Sequence, residues 1–361
     1  MAVKKRAAVI FGGISSEHEV SCRSVINVIN GFQEEKYELT LVGITKEGAW
    51  LLVDGIQNIE DGSWRQSAVT AILSPDRSRP GLLILNGGSC ECRPIDVVVP
   101  VLHGKFGEDG TIQGLCELCG IPYVGSGVLA SAVSMDKIST KIFVERLGIR
   151  QADFVADIAA DLSTIEETVC EVEQRLEYPV FVKPSNAGSS CGVSKAHNGE
   201  ELRRAIRLAK QYDTRVLIEE TIVGHEVECA VLGGSEVQAS KIGEVLSAAE
   251  FYDYESKYHN EDSKTVVDPA GIPEAVKEEV RADAIAIFKA VSGFGLSRVD
   301  FFIEKETNEV VFNELNMLPG CTDISMYPML WEDMGVPMPE LVDRWVETAF
   351  ERAGAVCLAC K

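Results

Sequence analysis

The chain has 361 residues, of which 46% are apolar and 25% charged, and its formal net charge is −22. This composition is ordinary for a globular protein, and the length predicts two or three domains. The acidic charge argues against nucleic acid as a partner. No apolar run approaches the roughly 18 residues of a membrane span, and the short apolar run after the first basic residues predicts a strand instead of a signal peptide.

The cysteines indicate a reducing environment. There are eleven of them, mostly within apolar stretches, which predicts free thiols in the cytoplasm instead of a disulfide scaffold. Two C-x-x-C spacings occur, at Cys116/Cys119 and Cys357/Cys360. Neither has a nearby second pair of cysteines or histidines to complete four metal ligands. We therefore expect buried thiols at the first pair and an ordinary tail at the second.

The first part of the chain alternates strand and helix patterns. The apolar run at 7–11 predicts a strand, and residues 15–32 carry apolar side chains at helical spacing. Ser16 and Glu19 have the spacing of a capping box, and Gly31 is suited to end the helix. Further strands are predicted at 37–44 and 95–104. Strand, helix and strand in this order predict a mixed α/β protein with a Rossmann-like parallel sheet covered by helices.

A second block begins near Gly125 and a third follows it, both with alternating helix and strand patterns. Helices are predicted at 134–149, 202–212, 273–293 and 338–350. Strands are predicted at 179–184, 215–222, 226–233, 295–304 and 309–316.

Two late strands carry the residues best suited to metal chemistry. A hairpin loop at 305–309 would place Asp300 directly opposite Glu314, with Cβ atoms about 5 Å apart. Carboxylates this close repel unless a cation lies between them, and a hard divalent ion held by carboxylates, phosphate and water fits. Asn316 adds a neutral oxygen, and Arg298 is placed to neutralise a transferring phosphate or an oxyanion. The alternative, an exposed hairpin with scattered charges, is disfavoured because charge within apolar strands is costly.

The segment VFVKPSNAGSSCGVSK (180–195) has the composition of an anion-binding loop. Lys183 ends a strand where it can reach an anion, Ser189 and Ser190 supply hydroxyl groups, and the glycines allow a ligand to approach the backbone. The pattern is not that of a P-loop, and a simple linker or turn is the alternative. The predicted metal site on the hairpin of Asp300 and Glu314 favours nucleotide binding over a simple linker for this segment.

Three further segments are suited to ligands. Residues 103–114 follow a buried strand, and ligands bind at that edge of an open α/β sheet. Glu17 lies near a predicted helix N-terminus, where a carboxylate is stabilised, although a simple capping-turn acid is the alternative. Residues 251–264 are polar and aromatic without periodicity, which is typical of a long loop that acts as a lid.

Together these segments resemble the D-alanine–D-alanine ligases of the ATP-grasp superfamily, across nearly the whole chain. The resemblance implies a three-domain ATP-grasp fold. Its parts would be an N-terminal Rossmann-like substrate domain (1–125), a central ATP-grasp subdomain (126–220) and a C-terminal ATP-grasp subdomain with metal site and lid (221–361). It also implies ligation of two D-alanine molecules through an acylphosphate, for peptidoglycan precursor synthesis.

The resemblance further implies a role for each matched residue. ATP would contact Lys137, Lys183, Ser190, Glu219, Glu226 and Lys257. Two Mg²⁺ or Mn²⁺ ions would be bound by Asp300, Glu314 and Asn316. The catalytic residues would be Glu17, Ser189, Tyr258, Arg298 and Ser325. The substrate pocket would include His103, Gly320, Ser325 and Met326. Glu17 would hold the ammonium group of the first substrate, in a hydrogen-bonded triad with Ser189 and Tyr258. A homodimer and a monovalent cation are also implied.

Specificity has alternatives within the family, because related ligases join D-alanine to D-serine or D-lactate. The lactate type lacks the lid tyrosine, which is present here as Tyr258. Met326 stands where many of these enzymes have arginine, and an apolar neighbour suits a methyl side chain, so D-alanine is expected in both subsites. Met317, Phe312 and residues 322–325 depart from the family pattern, which leaves the preference of the second subsite open.

Two alternatives come from other classes. A dinucleotide-dependent oxidoreductase would use the first sheet, but the turn after the first strand is not G-x-G-x-x-G. A nucleotide-binding regulator without turnover would keep Lys183 but would not need Arg298.

Overall fold

The computed structural model describes residues 3–246 and 264–359. The strands of its first sheet are β1 (Lys5–Gly12), β2 (Tyr37–Ile44), β3 (Trp50–Val53), β4 (Thr70–Leu73), β5 (Gly81–Asn86), β6 (Ser89–Pro94) and β7 (Val97–Val101). They lie in the order β6-β5-β4-β3-β2-β1-β7. As predicted, β2, β1 and β7 are parallel. The other four strands extend this core in antiparallel fashion, and the sequence does not predict them because their segments are short and weakly patterned.

Helices cover both faces of this sheet. They are α1 (His18–Gly31), α2 (Ile56–Glu60) and α3 (Thr111–Cys119), with a 3₁₀ turn at Ser63–Gln66. All five residues of β7 are buried, as expected for a parallel strand covered on both sides. The cysteines of the first C-x-x-C pair are buried under the sheet in α3, as predicted. Cys360 and the Cys357 side chain lie outside the described part of the chain.

The predicted capping box at the start of α1 is wrong. The helix begins at His18 with Glu17 at the N-cap, and Glu17 makes no side-chain capping bond. The amide of Glu17 donates to the Ser15 hydroxyl at 3.2 Å. Glu19 does not reach back to the helix start, because its carboxylate pairs with Lys46 at 2.7 Å.

The second sheet is antiparallel and is covered by two helices. Its strands are β8 (Phe154–Asp157), β9 (Val180–Pro184), β10 (Ser194–Ala196) and β11 (Val216–Glu220), in the order β10-β9-β11-β8. The helices are α6 (Ile165–Arg175) and α7 (Gly199–Ala209). Asn198 caps α7 by accepting from two amides of its first turn, those of Glu200 and Glu201.

The helix predicted at 134–149 is shorter in the structure, as α5 (Lys137–Glu145), and the first two residues of the predicted range end a separate helix, α4 (Val128–Met135). The backbone of Asp136 between them is extended, and its carboxylate accepts from the Ser139 amide at 2.7 Å. An aspartate in this role starts a new helix. Lys137 is consequently the first residue of α5.

The third sheet is also antiparallel. Its strands are β12 (Gly224–Gly233), β13 (Val237–Leu246), β14 (Lys264–Val267), β15 (Gly295–Glu304) and β16 (Val310–Asn316), in the order β14-β13-β12-β15-β16. Helix α8 (Glu274–Ala290) packs on one face. Two helices follow the sheet, α9 (Met326–Asp333) and α10 (Met338–Ala359). Helix α10 returns to the first sheet, where Trp345 shares a core with Val9 and Val25.

Within 3–246 and 264–359, no helix combines the length and apolar character that crossing a bilayer requires.

Candidate active site

A cavity of about 720 Å³ lies where the three sheets meet. Its wall contains most of the predicted site residues: Glu17, His103, Lys137, Lys183, Ser189, Ser190, Glu219, Glu226, Arg298, Glu314, Asn316, Gly320, Ser325 and Met326. Asp300 lies behind this wall, hydrogen-bonded to Arg298 and Asn316. Lys257, Tyr258 and residues 251–263 of the predicted lid lie outside the described residues.

Three carboxylates form a row across three neighbouring strands of the third sheet. Glu228 on β12 pairs with Asp300 on β15, which in turn pairs with Glu314 on β16. The predicted opposition of Asp300 and Glu314 is therefore confirmed. The prediction of a regular hairpin is wrong. Near the turn the pairing of β15 with β16 is shifted by one residue from the predicted register, and a bulge at Asn313 brings Asp300 and Glu314 back into the predicted register. Bulges of this kind redirect side chains beside active sites.

Arg298 lies within this acidic row. Its Nε donates to Asp300 Oδ1 and its Nη2 to Asp300 Oδ2, both at 2.7 Å. Nε also lies 3.1 Å from Glu228 Oε2. Burial alone lowers the pKa of Arg298, but the carboxylates of Asp300 and Glu228 raise it well above the ordinary value. The guanidinium is therefore a fixed positive charge at the cavity wall.

The donor set at this end fits a hard divalent ion. Asp300 and Glu314 supply carboxylate oxygens and Asn316 supplies an amide oxygen, and Mg²⁺ and Mn²⁺ prefer such ligands. The acids are balanced by neighbouring cations, since Arg298 binds Asp300 and Lys137 Nζ lies 3.5 Å from Glu314 Oε2. The negative charge of the row and its position on the cavity suit a metal bound together with phosphate.

A pair of lysines encloses Glu219 on the adjoining wall. Lys183 Nζ lies 2.6 Å from one of its carboxylate oxygens, and Lys141 Nζ lies 2.6 Å from the other. Burial raises the pKa of Glu219, but the two lysines outweigh it and lower that pKa to about 2. Sequence reasoning missed Lys141. The sequence feature that could have indicated Lys141 is its position, one helical turn after Lys137 and on the buried face of α5.

The loop after β9 has an unusual backbone. Ser189 and Ser190 have φ angles of 48° and 56°, in the left-handed region that costs about 1–2 kcal/mol for a residue with a side chain. Such strain concentrates at ligand-binding sites. Lys137 Nζ donates to the Ala187 carbonyl at 2.9 Å, which ties α5 to this loop.

The Glu17 carboxylate lies in a pocket walled by glycine. The Ser189 hydroxyl donates to Glu17 Oε1 at 2.5 Å. A Cβ atom on Gly104 or Gly188 would come within 2.2 Å or 2.3 Å of Glu17 Oε2. Among the described residues, none hydrogen-bonds to that buried oxygen. An acceptor of this kind beside the cavity suits the ammonium group of a ligand.

Family models match the chain over residues 6–126, as a D-ala D-ala ligase N-terminus, and over 143–347, as a D-ala D-ala ligase C-terminus. The chain belongs to the D-alanine–D-alanine ligase family. Membership identifies it as an ATP-dependent ligase that acts on small molecules with a divalent metal ion, and the mixed α/β structure is the ATP-grasp fold that the sequence predicted.

Individual relatives agree over nearly their full lengths. The D-alanine–D-alanine ligase of Acetivibrio thermocellus is 48% identical over 98% of this chain and 97% of its own. The ligase of that name from Ruminiclostridium cellulolyticum is 49% identical over 97% and 96%. Among solved structures, the VanG D-Ala:D-Ser ligase from Enterococcus faecalis has a TM-score of 0.87 at 37% identity, over 96% of this chain and 100% of its own. The D-alanine–D-alanine ligase from Coxiella burnetii has a TM-score of 0.84 at 32% identity, over 99% and 97%.

In this ligase, His103 joins two parts of the fold. Its Nδ1 lies 2.9 Å from the Leu318 carbonyl and its Nε2 lies 3.1 Å from the Ser24 hydroxyl. A carbonyl only accepts, so Nδ1 carries the proton and Nε2 accepts from the hydroxyl. Burial lowers the pKa of His103, which keeps the ring neutral. The imidazole thus links the first sheet to the segment after β16.

Glu108 is a second residue of this ligase that sequence reasoning missed. Its carboxylate lines the cavity and accepts from the amides of Gly104 at 2.8 Å and Leu318 at 3.0 Å. Burial raises the pKa of Glu108 to about 8, and the negative charge of Glu17 acts in the same direction. The sequence feature that could have indicated Glu108 is that it is an acidic residue within 103–114, the segment predicted to bind a ligand.

Three of the residues predicted for the substrate pocket, Gly320, Ser325 and Met326, lie at or just before the start of α9. The Ser325 hydroxyl accepts from the Thr322 amide at 2.9 Å. A Cβ on Gly320 would come within 3.1 Å of that hydroxyl oxygen. Met326 lines the cavity but is only 3% exposed, and a Cβ on Gly243 would lie 2.2 Å from its sulfur. Met326 therefore depends on glycine in β13 for its position.

Proposed function

We propose that this chain joins two molecules of D-alanine to D-alanyl-D-alanine for peptidoglycan precursor synthesis, with conversion of ATP to ADP and phosphate. The observation that carries the proposal is the composition of one cavity. A buried guanidinium within an acidic row lies at one end, and the glycine-walled Glu17 carboxylate lies beside it. The first suits a triphosphate and a reacting carboxyl group, and the second suits the ammonium group of an amino acid.

ATP would bind between the central part (126–220) and the C-terminal part (221–361) of the chain. We assign its phosphates to the Lys137 and Lys183 ammonium groups, with Ser190 and the lid residue Lys257 as further contacts. Glu219 and Glu226 would contact the adenine and ribose side. Asp300, Glu314 and Asn316 would hold two Mg²⁺ or Mn²⁺ ions, which neutralise phosphate charge when bound.

The reaction would proceed in two displacements. A carboxylate oxygen of the first D-alanine attacks the γ-phosphorus of ATP, the bond to the β-phosphate oxygen breaks, and ADP leaves. The neutral amine of the second D-alanine then attacks the acylphosphate carbonyl, loses a proton, and expels phosphate as the peptide bond forms. Arg298 is the fixed charge available to stabilise both transition states. Glu17 holds the ammonium of the first substrate, and Ser189 orients that carboxylate, with Tyr258 as their third partner.

We assign D-alanine to the second subsite as well, with His103, Gly320, Ser325 and Met326 around it. An apolar Met326 provides no hydrogen bond for the hydroxyl of D-serine or D-lactate, and it fits a methyl group. The alternative is D-alanine–D-serine ligation, which the name of the structurally similar VanG enzyme states for that protein.

By family relationship we also assign a homodimer in the cytoplasm and a bound monovalent cation. Sedimentation velocity at several protein concentrations tests the dimer, and a single monomer species across that range contradicts it. Replacing K⁺ with a larger organic cation tests the monovalent site, and unchanged turnover contradicts it.

The test of the function is release of phosphate from ATP with each D-amino acid alone and in pairs. We expect turnover that requires D-alanine and yields the dipeptide. Absence of phosphate release with D-alanine contradicts the proposal, and a nicotinamide absorbance change would support an oxidoreductase instead.

A further inference from the structure

Glu228 is a buried carboxylate of the cavity wall that the proposed reaction does not use. It lies on β12 at the inner end of the acidic row, opposite Asp300, and is 6% exposed. Placing a carboxylate in such a position is costly unless a charged partner compensates it. Its position on the cavity suggests a role in the reaction in addition to folding.

One charged partner is the guanidinium of Arg298. Glu228 Oε2 lies 3.1 Å from Arg298 Nε, and the same Nε donates to Asp300 Oδ1 at 2.7 Å. Arg298 is therefore held by carboxylates on two neighbouring strands. Asp300 has a further donor, since the Asn316 amide contacts its Oδ2 at 3.0 Å.

These two acids differ in their place relative to the proposed metal site. Asp300 lies between Glu228 and Glu314 in the row. Strands are spaced by about 4.8 Å, so the backbone of Glu228 is roughly twice that distance from the backbone of Glu314. A metal shared by Asp300 and Glu314 would draw on the negative charge of Asp300 and weaken its hold on Arg298. Glu228, on the far side, would keep its charge for the guanidinium.

We propose that Glu228 is a positioning residue for Arg298: it holds the guanidinium at the reacting groups when Asp300 binds the metal. The inference rests on the proposed function, specifically on Arg298 as the group that stabilises the transition states. Glu228 itself touches neither substrate nor metal in this scheme. Its loss should affect the rate of the chemical step much more than binding.

The variants are Glu228→Gln, which removes the charge at nearly constant shape, and Glu228→Asp, which keeps the charge on a shorter side chain. The matched control is Asp157→Asn. Asp157 is 3% exposed and pairs with Lys210 at 3.1 Å, but it does not line the cavity. Each variant is also made in an Arg298→Lys background.

We expect Glu228→Gln to lower kcat by about 10- to 100-fold, the range typical for residues that orient a functional group, with KM values for ATP and D-alanine changed less than about threefold. Glu228→Asp should recover part of that loss. In the Arg298→Lys background, Glu228→Gln should have little further effect, because two residues that act together are not additive. Calorimetric binding of Mn²⁺ with ATP should be retained in Glu228→Gln and reduced in Glu314→Gln.

The inference is overturned if kcat of Glu228→Gln lies within twofold of the parent, or if Glu228→Asp and Glu228→Gln lose equal activity. It is also overturned by additive effects of Glu228→Gln and Arg298→Lys, or by a loss of Mn²⁺ binding in Glu228→Gln equal to that in Glu314→Gln. A loss of kcat in Asp157→Asn matching that of Glu228→Gln, with parallel drops in melting temperature, would make the effect structural and also overturn it. Near-normal turnover of Arg298→Lys and Arg298→Ala would instead refute the proposed role of Arg298.

Discussion

Replacing Gly188 by alanine tests the position of the Glu17 carboxylate with a single added methyl group. The new Cβ would lie 2.3 Å from Glu17 Oε2, whereas ordinary contacts begin at 3.4 Å. The carboxylate must therefore move by about 1 Å, and a displacement of that size in an oriented site costs roughly 100-fold in rate. Gly188 is not among the residues with positive φ, so alanine adds no backbone strain there.

The same change should be mild for stability, because the displaced atom is the end of a flexible side chain. The displacement also disturbs the hydrogen bond from Ser189 to Glu17. We expect kcat/KM for the first D-alanine to fall by about 10- to 100-fold, the KM for ATP to change little, and the melting temperature to stay within a few degrees. The control is Gly354→Ala in helix α10, since a Cβ at that helical position meets nothing within 4 Å. Parent-like kinetics for Gly188→Ala would show that Glu17 does not need the position seen here.

Further predictions concern the metal site, specificity and pH. Asp300→Asn and Glu314→Gln should each lower ligation by more than about 100-fold and weaken Mn²⁺ binding measured by calorimetry; near-normal turnover in either would remove the metal assignment. Met326→Arg should shift product formation from D-alanine toward D-serine or D-lactate in a competition assay, and an unchanged product ratio would remove Met326 from the specificity argument. In the folded protein the pKa of Glu108 is about 8, above its ordinary value in the unfolded chain. Between those two values the folded state holds a proton that the unfolded state has lost, so the free energy of unfolding should fall as pH rises toward 8. Glu108→Gln should therefore gain melting temperature relative to the parent as pH increases from 5 to above 8, and a constant difference across that range would contradict the raised pKa.

Periodicity and residue chemistry predicted the parts of the fold that depend on local pattern. The parallel core of the first sheet follows from apolar runs such as 97–101. The opposition of Asp300 and Glu314 was predicted from the length of the hairpin loop, and it holds because the bulge at Asn313 compensates the offset near the turn. The bulge at Asn313 could not be predicted this way, because Val310, Val311 and Phe312 are all apolar and buried, so alternation does not distinguish the two registers there. The break at Asp136 was missed because an aspartate within a helical pattern is compatible with both a continuous helix and a new cap.

Residue type and the family resemblance predicted most of the side chains that line the cavity, and they missed those whose importance depends on three-dimensional packing. Lys141 and Glu108 gain their importance from burial beside Glu219 and Glu17, which lie far away in the sequence. In the sequence, Glu228 is one of several polar residues in an alternating strand. Its importance follows only from the strand register, which places it opposite Asp300. The family resemblance carried residue roles but did not indicate these added carboxylates and lysine.

The most direct test of the account is a quantitative competition assay. The purified protein is incubated with ATP, Mg²⁺ and equal concentrations of D-alanine, D-serine and D-lactate, and ADP and all products are measured together. The account predicts one ADP for each molecule of product formed, with D-alanyl-D-alanine as the main product and the mixed products in the minority. ADP formation without dipeptide, or a predominance of D-alanyl-D-serine or D-alanyl-D-lactate, would contradict it.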